Sequence, residues 1–282
     1  MDTGIEDLGV LITGASGGIG GALAHAFAGE GARLALHAHR NIDALEGYAA
    51  QLGLGSSRGF TGRADVTDLA AIQGFVDGAR RAFGRLDVCI VNAGIWPEAN
   101  EPLHTMRPER VREVLDVNLF GAMWTIRAFL RGLAEDGPRA DGRGASICMI
   151  GSTAARFGEA GHAAYSVTKS AMYGLLRSIK NEIAQLDPYG RINLVEPGWT
   201  VTPMARATVE TPGVIERVCQ TMAVRQLARP EDIAHSVVYL SSPRLARHVS
   251  GEVITVAGGM EGRVLWKPEE IDAAEVRRRL DE

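Results

Sequence analysis

Three side chains in one stretch could move a proton: Ser152, Tyr165 thirteen residues later, and Lys169 four beyond that. A spacing of four places Tyr165 and Lys169 on one face of a helix. A free phenol, with a pKa near ~10, is a poor acid–base group at neutral pH. A neighbouring ammonium favours the phenolate and lowers that value. The Ser152 hydroxyl can hold a substrate oxygen beside the phenol. Taken alone, Tyr-x-x-x-Lys also fits an exposed tyrosine beside a solvated lysine.

A second stretch could hold phosphate. An apolar run over 8–13 leads into Thr13-Gly14-Ala15-Ser16-Gly17-Gly18-Ile19-Gly20, and a helical pattern follows. Gly14 permits a sharp turn out of a strand, Gly18 lets backbone approach a pyrophosphate, and Gly20 lets the helix sit close to the sheet. Free amides and the positive end of the new helix would face the phosphates. The spacing is Thr-Gly-x-x-x-Gly-x-Gly and not the usual G-x-G-x-x-G. The competing reading is an ordinary glycine-rich turn; strand, turn and helix in this order favour a dinucleotide.

The elements that must position these groups alternate. Strand-like runs fall at 8–13, 33–37, 57–62, 86–91, 145–150, 191–195 and 252–256. Helical patterns fall near 18–29, 42–53, 68–83, 108–134, 164–187 and 230–242. Val88-Cys89-Ile90-Val91 is apolar on both faces, as a strand covered by helices on both sides must be. The expectation is a single-domain, Rossmann-like α/β fold: a doubly wound sheet of about seven parallel strands with helices on both faces. Three stretches break the alternation. The polar loop 136–144 reads as an insertion, 203–222 as a substrate flap within the 1–260 domain, and 261–282 as a tail. A solvated helix and a subunit-interface arm fit the tail equally.

Composition excludes several classes. Glycine makes up 34 of 282 residues, about 12 % against a usual ~7 %, but without a three-residue period. Collagen is therefore excluded, and 46 % hydrophobic residues exclude disorder. A net charge of −4 gives no basic surface for nucleic acid, and no run reaches the ~20 apolar residues of a membrane helix. Cys89, Cys148 and Cys219 are too scattered for a disulfide framework. The acidic segment 1–9 does not look like a secretory signal, so a cytoplasmic setting is expected.

These patterns together resemble the short-chain dehydrogenase/reductase family in its common form of ~250 residues, over residues 8 to about 258. The likeness extends to reductases of 3-oxoacyl thioesters and ketones. It implies further site residues. Asp65-Val66 would meet the adenine; the alternative, a helix cap, suits Asp68 better. Asn92-Ala93-Gly94 would line the cofactor groove and brace the sheet. Asn118, in Asp-Val-Asn-Leu-Phe-Gly, would complete a catalytic tetrad with Ser152, Tyr165 and Lys169. It would disrupt its helix locally and hold a water that links the lysine to solvent. Pro197-Gly198-Trp199-Thr200-Val201-Thr202 resembles the segment whose backbone and threonine hold the nicotinamide carboxamide; Thr202 is the matching threonine, and Pro197, Gly198 and Thr200 are assigned to the cofactor with it.

The implied activity is hydride transfer between NAD(P) and a carbonyl or secondary alcohol. The end of strand two carries no aspartate to bond the adenosine ribose. His39 and Arg40, with Ser16, could instead meet a 2′-phosphate, which favours NADP over NAD; NADP-using relatives often carry a cation where Gly17 stands. His37-x-His39 lacks further ligands for a metal, and none is expected. Substrate contacts are assigned to Trp96, Thr153, Phe157, Glu159, His162, Trp199 and Met204, and for Trp199 core packing fits as well. The substrate is a small carbonyl or alcohol of open identity. An epimerase or dehydratase of the same superfamily and a non-catalytic cofactor sensor are the alternatives. A homo-oligomer, tetramer or dimer, is expected through the helices near 108–134 and 164–187.

Overall fold

Seven short apolar runs pair into one parallel sheet in the order β3-β2-β1-β4-β5-β6-β7. They are β1 (Gly9–Ile12), β2 (Arg33–Ala38), β3 (Gly59–Arg63), β4 (Val88–Val91), β5 (Ser146–Ile150), β6 (Arg191–Pro197) and β7 (Val253–Val256). The computed structural model describes residues 1–202, 214–224, 226–260, 262 and 264. Met204, the first part of the 203–222 flap and nearly all of the 261–282 tail lie outside the described residues. The seven-stranded, Rossmann-like parallel sheet expected from the sequence is the fold observed.

Period-two burial divides the core between the two faces of the sheet. Leu11, Cys89, Val91, Ile147 and Met149 point to one face. There α3 (Leu69–Phe83), α5 (Gly121–Asp136) and α7 (Ala163–Leu186) bring Phe75, Phe129 and Met172. Val10, Ile12, Val88, Ile90, Cys148 and Ile150 point to the other. That side is covered by α1 (Gly18–Gly29), α2 (Ile42–Gln51) and α9 (Pro230–Ser241) through Leu23, Phe27, Leu45 and Ile233. A side chain of this size, fully buried, contributes about 1.5–3 kcal/mol.

Local signals set several boundaries. Asp68 caps α3 by accepting from the amides of Ala70 (2.8 Å) and Ala71 (3.1 Å). Gly84 ends it in the left-handed region at φ 82°. Pro230 opens α9 at a position where the missing N–H costs nothing. Arg191, 4 % exposed, closes the far end of α9. Its guanidinium donates to the carbonyls of Leu240 (2.7 Å) and Ala246 (3.0 Å).

The structure departs from the simple alternation in three places. The helical pattern near 108–134 divides into α4 (Pro108–Leu115), a π-turn (Asp116–Phe120) and α5. A five-residue helix, α6 (Thr153–Phe157), follows β5; it is too short to show a period in sequence. Within the flap, α8 spans Val214–Cys219.

The 136–144 insertion is tied to the amino ends of the central strands. Asp87, completely buried, accepts from Arg85 Nε (2.6 Å), Arg139 Nη1 (3.2 Å) and the amide of Gly9 (2.9 Å). Arg143 Nη1 donates to the carbonyls of Gly4 (3.1 Å) and Glu6 (2.8 Å). Removing the carboxylate takes an acceptor from the Gly9 amide and from two arginines, which keep only Gly137 O and Asp141. Asp87→Ala is expected to lower unfolding free energy by about 3 kcal/mol, read from the shift of the urea midpoint.

Candidate active site

The carboxyl ends of the strands open into a cavity of about 300 Å³. It begins at the reversal of strand order between β1 and β4, where a doubly wound sheet leaves a crevice. The two strands are cross-linked there. Asn92 Nδ2 donates to the carbonyls of Thr13 (2.9 Å) and Gly14 (3.1 Å). Thr13 Oγ1 accepts from the amides of Asn92 (3.0 Å) and Ala93 (3.1 Å).

Gly14, Gly17, Gly18, Ile19 and Gly20 line one wall. Gly14 has φ +66°, and a Cβ on Gly20 would collide with the Gly14 carbonyl, so the loop cannot carry side chains at either place. Gly17, before α1, provides no side-chain cap, which leaves first-turn amides directed at this wall. Ser16 is exposed on the loop. His37 was a bland strand residue in the sequence; here its Nδ1 accepts from the Gly14 amide (3.2 Å) and its Nε2 donates to Ala64 O (3.0 Å). Burial pushes its pKa below the ordinary imidazole value, which keeps the ring neutral. A single imidazole thus joins the glycine loop to the segment before Asp65-Val66. Its one signal in sequence was a polar residue inside the apolar run of β2.

His39 and Arg40 are exposed at the end of β2. His39 Nε2 lies 3.6 Å from Asp65 Oδ2, while Asp65 Oδ1 accepts from the amide (2.9 Å) and hydroxyl (2.8 Å) of Thr67. These bonds, led by the Thr67 amide, hold Asp65 below the usual carboxylate range. Val66 is buried and packs toward Gly121.

The residues that the sequence singled out for proton transfer meet in the same cavity. Ser152, Tyr165 and Lys169 line it with Asn92, Ala93 and Gly94. Ser152 caps α6, its Oγ accepting from the Ala154 amide at 3.1 Å. Tyr165 and Lys169 sit one turn apart on α7, with Lys169 Nζ 5.7 Å from the centre of the tyrosine ring. Lys169, 4 % exposed, donates to the carbonyl of Ile150 at 2.8 Å. Burial lowers its pKa to about 8. Burial raises the Tyr165 phenol to about 12, with the hydrogen bond to Ser152 opposing and the Glu159 charge reinforcing the rise. Sequence reasoning anticipated a lowered phenol; desolvation instead raises it, against the opposing hydrogen bond to Ser152.

Asn118 lies at the centre of the π-turn and is completely buried. Its Oδ1 accepts from the Ile95 amide (2.7 Å) and its Nδ2 donates to the Ile95 carbonyl (2.9 Å). A Cβ on Gly94 would lie 3.1 Å from Asn118 Oδ1 and 3.7 Å from Lys169 Nζ, which places the amide and the lysine about one common point.

Pro197, Gly198, Trp199, Thr200 and Thr202 complete the lining. Their segment is held where Val201 N donates to Ala228 O (2.8 Å) and Gly198 N to Val256 O (3.0 Å). Among the substrate candidates, Trp96, Thr153, Glu159 and Trp199 reach the cavity. Phe157 packs with Val218, Met222 and Met260 in a small cluster that also includes Trp199. His162 stacks behind Trp96, and Met204 is outside the described residues. No cluster of possible metal ligands occurs among the described residues.

Comparison with known proteins agrees with this geometry. Residues 14–261 match the family described as enoyl-(acyl carrier protein) reductase. The chain is 34 % identical over 261 residues to an L-rhamnose 1-dehydrogenase (NAD(P)(+)) of Azotobacter vinelandii, covering 89 % of this chain and 95 % of that protein. It is 29 % identical to a 3-oxoacyl-[acyl-carrier-protein] reductase of Escherichia coli, covering 89 % and 96 %. Among solved structures, a short-chain dehydrogenase/reductase of the glucose/ribitol dehydrogenase type from Brucella melitensis superposes with TM-score 0.82 at 30 % identity, over 92 % of this chain and 99 % of that one. A 7α-hydroxysteroid dehydrogenase complexed with NADH and 7-oxo glycochenodeoxycholic acid superposes with TM-score 0.79 at 27 % identity, over 92 % and 96 %. The chain belongs to the short-chain dehydrogenase/reductase family. It is an NAD(P)-dependent oxidoreductase acting on CH–OH or carbonyl groups.

A buried ammonium whose strongest partner is one carbonyl opposes folding. Lys169→Met is expected to raise stability by about 1–3 kcal/mol at pH 7. The folded value near 8 lies below the unfolded 10.5. The unfolded chain therefore holds the extra proton, and wild type gains stability as pH rises between them. The advantage of the variant should shrink across that window in chemical denaturation.

Proposed function

We propose that the enzyme interconverts a ketone or aldehyde and its alcohol through Ser152, Tyr165, Lys169 and Asn118. The observation that carries this reading is the meeting of Ser152, Tyr165 and Lys169 with the glycine loop in one cavity. The residues suit a nicotinamide dinucleotide. At Gly20 the loop backbone packs so closely on the start of α1 that a Cβ would collide with the Gly14 carbonyl, and α1 would direct amides and its positive end at the phosphates. Asn92, Ala93, Gly94, Pro197, Gly198, Thr200 and Thr202 would hold the nicotinamide end, with Tyr165 and Lys169 beside its ribose. When bound, that group supplies or accepts the hydride.

In reduction, Ser152 holds the carbonyl oxygen and Tyr165 gives it a proton. A phenol raised to about 12 is protonated at neutral pH, as a donor must be. The Lys169 ammonium then favours the phenolate left behind. Asn118 keeps the Ile95 backbone and the π-turn fixed beside Lys169 and supports the water path by which the phenol regains its proton. Oxidation runs the same transfers in reverse, with Tyr165 as base.

NADP is the preferred cofactor in this proposal. His39 and Arg40 stand at the end of β2, where NAD-binding relatives place an aspartate, and Ser16 adds a hydroxyl. Asp65 is occupied by Thr67 and His39, which leaves Arg40 to meet a 2′-phosphate. A cytoplasmic homo-oligomer is part of the same proposal. No described helix is long and apolar enough to cross a membrane. Val167 on α7 is 58 % exposed and Phe120 42 %; Phe120 stacks on Trp124. Both are suited to a subunit contact.

Two measurements test these assignments. Tyr165→Phe should lower kcat by about 10²–10⁴-fold on a panel of carbonyls while fluorescence titration still detects reduced-cofactor binding; wild-type turnover in that variant would overturn the role of Tyr165. Titration of wild type should give a lower Kd for NADPH than for NADH, and Arg40→Ala should narrow the difference.

A further inference from the structure

Only one carboxylate lines the catalytic cavity among the described residues. Glu159 sits in the loop between α6 and α7, its side chain 20 % exposed. Two neighbours fix it. Trp96 Nε1 donates to Glu159 Oε2 at 3.2 Å. The Trp96 indole in turn lies flat on His162, ring centroids 4.9 Å apart and planes 12° from parallel, and His162 Nε2 bonds the carbonyl of Pro97 at 2.8 Å. The other oxygen, Oε1, is 3.9 Å from His162 Nδ1. That is beyond hydrogen-bonding distance, and no described residue donates to it. The cation of the cavity, Lys169, is committed to the carbonyl of Ile150.

With no donor within hydrogen-bonding distance from the described residues, Glu159 Oε1 is left to solvent at the cavity wall. A substrate that brings a hydroxyl would satisfy it. A substrate that brings a second negative charge would meet repulsion strengthened by the partly dry surroundings. Glu159 and Tyr165 line the same cavity, and the Glu159 charge reinforces the rise of the phenol.

We propose that Glu159, braced by Trp96, determines substrate class by accepting a hydrogen bond from a hydroxyl adjacent to the reacting carbon. The substrate is then a polyhydroxylated carbonyl or alcohol, and compounds with an anionic group in that position are rejected. The proposal rests on Tyr165 as the proton-transfer group, which fixes where the reacting carbon lies.

The test varies one neighbouring group on a constant ring. Rates of oxidation are measured for cyclohexanol, trans-1,2-cyclohexanediol, 2-aminocyclohexanol and 2-hydroxycyclohexanecarboxylate, with NAD and with NADP. Wild type should prefer the diol to cyclohexanol by about tenfold in kcat/KM, mainly through KM, as one hydrogen bond gives, and should disfavour the carboxylate. Glu159→Gln retains an acceptor oxygen. It should keep the diol preference, relax the penalty on the carboxylate, and move the acidic limb of the oxidation pH profile to lower pH, because the Glu159 charge raises the Tyr165 phenol. Glu159→Leu should lose both the preference and the penalty. A preference for the amino alcohol above the diol overturns the assignment of a hydroxyl as the neighbouring group.

A purely structural role, anchoring Trp96, would change all four rates by one factor and leave their ratios intact; that result overturns the proposal. Wild type turning over none of the four overturns it too. Retained turnover in Tyr165→Phe would instead overturn the role of the tyrosine, so the two failures are distinguishable.

Discussion

The site depends on the hydrogen bonds that join Thr13 and Asn92 across the reversal of strand order. Neighbouring parallel strands are normally connected through helices, and at this one point the chain leaves in opposite directions from β1 and β4. The crevice that results is useful only if its two lips keep a fixed separation. Thr13 and Asn92 supply that through two amides and two carbonyls. The glycine loop then starts from a fixed point, and Asn92-Ala93-Gly94 leads directly to Ile95, whose backbone Asn118 grips. One clamp thus sets the start of both the glycine loop and the segment that Asn118 grips.

Strands with both faces buried were legible in sequence, because a run such as Val88-Cys89-Ile90-Val91 has few other uses. Long helices were legible by period, and α3 also by its Asp68 cap. The π-turn was not readable from periodicity: one extra residue per turn leaves the apolar spacing of 108–134 almost unchanged over so short a span. It was reached only through Asn118 and a family resemblance. The anchoring by His37 was hidden for another reason. Its two partners, Gly14 and Ala64, are backbone groups, and backbone partners leave no trace in residue identity. Tyr165 gives the sharpest contrast: the spacing named its neighbour correctly, but the balance between ammonium and desolvation depends on depth, which spacing does not encode.

Several features of the cleft oppose stability. Lys169 is charged and buried beside a single carbonyl. The helix α1 begins without a side-chain cap. The π-turn forgoes regular helical bonding at Asn118. Such departures are tolerable where surrounding packing over-determines the geometry, and here two apolar layers enclose the strands that carry them.

The insertion at 136–144 gains meaning from where it is fastened. Asp87, Arg85, Arg139 and Arg143 gather at the amino ends of the strands, and the cleft lies at the carboxyl ends. The two rims share strands but no side chains. The molecule is built like a hand tool, with its grip at one end and its working edge at the other. Sequence change in the cleft can alter what is accepted there while the grip holds the strands in register. Such a separation lets one scaffold serve many substrates without being rebuilt for each.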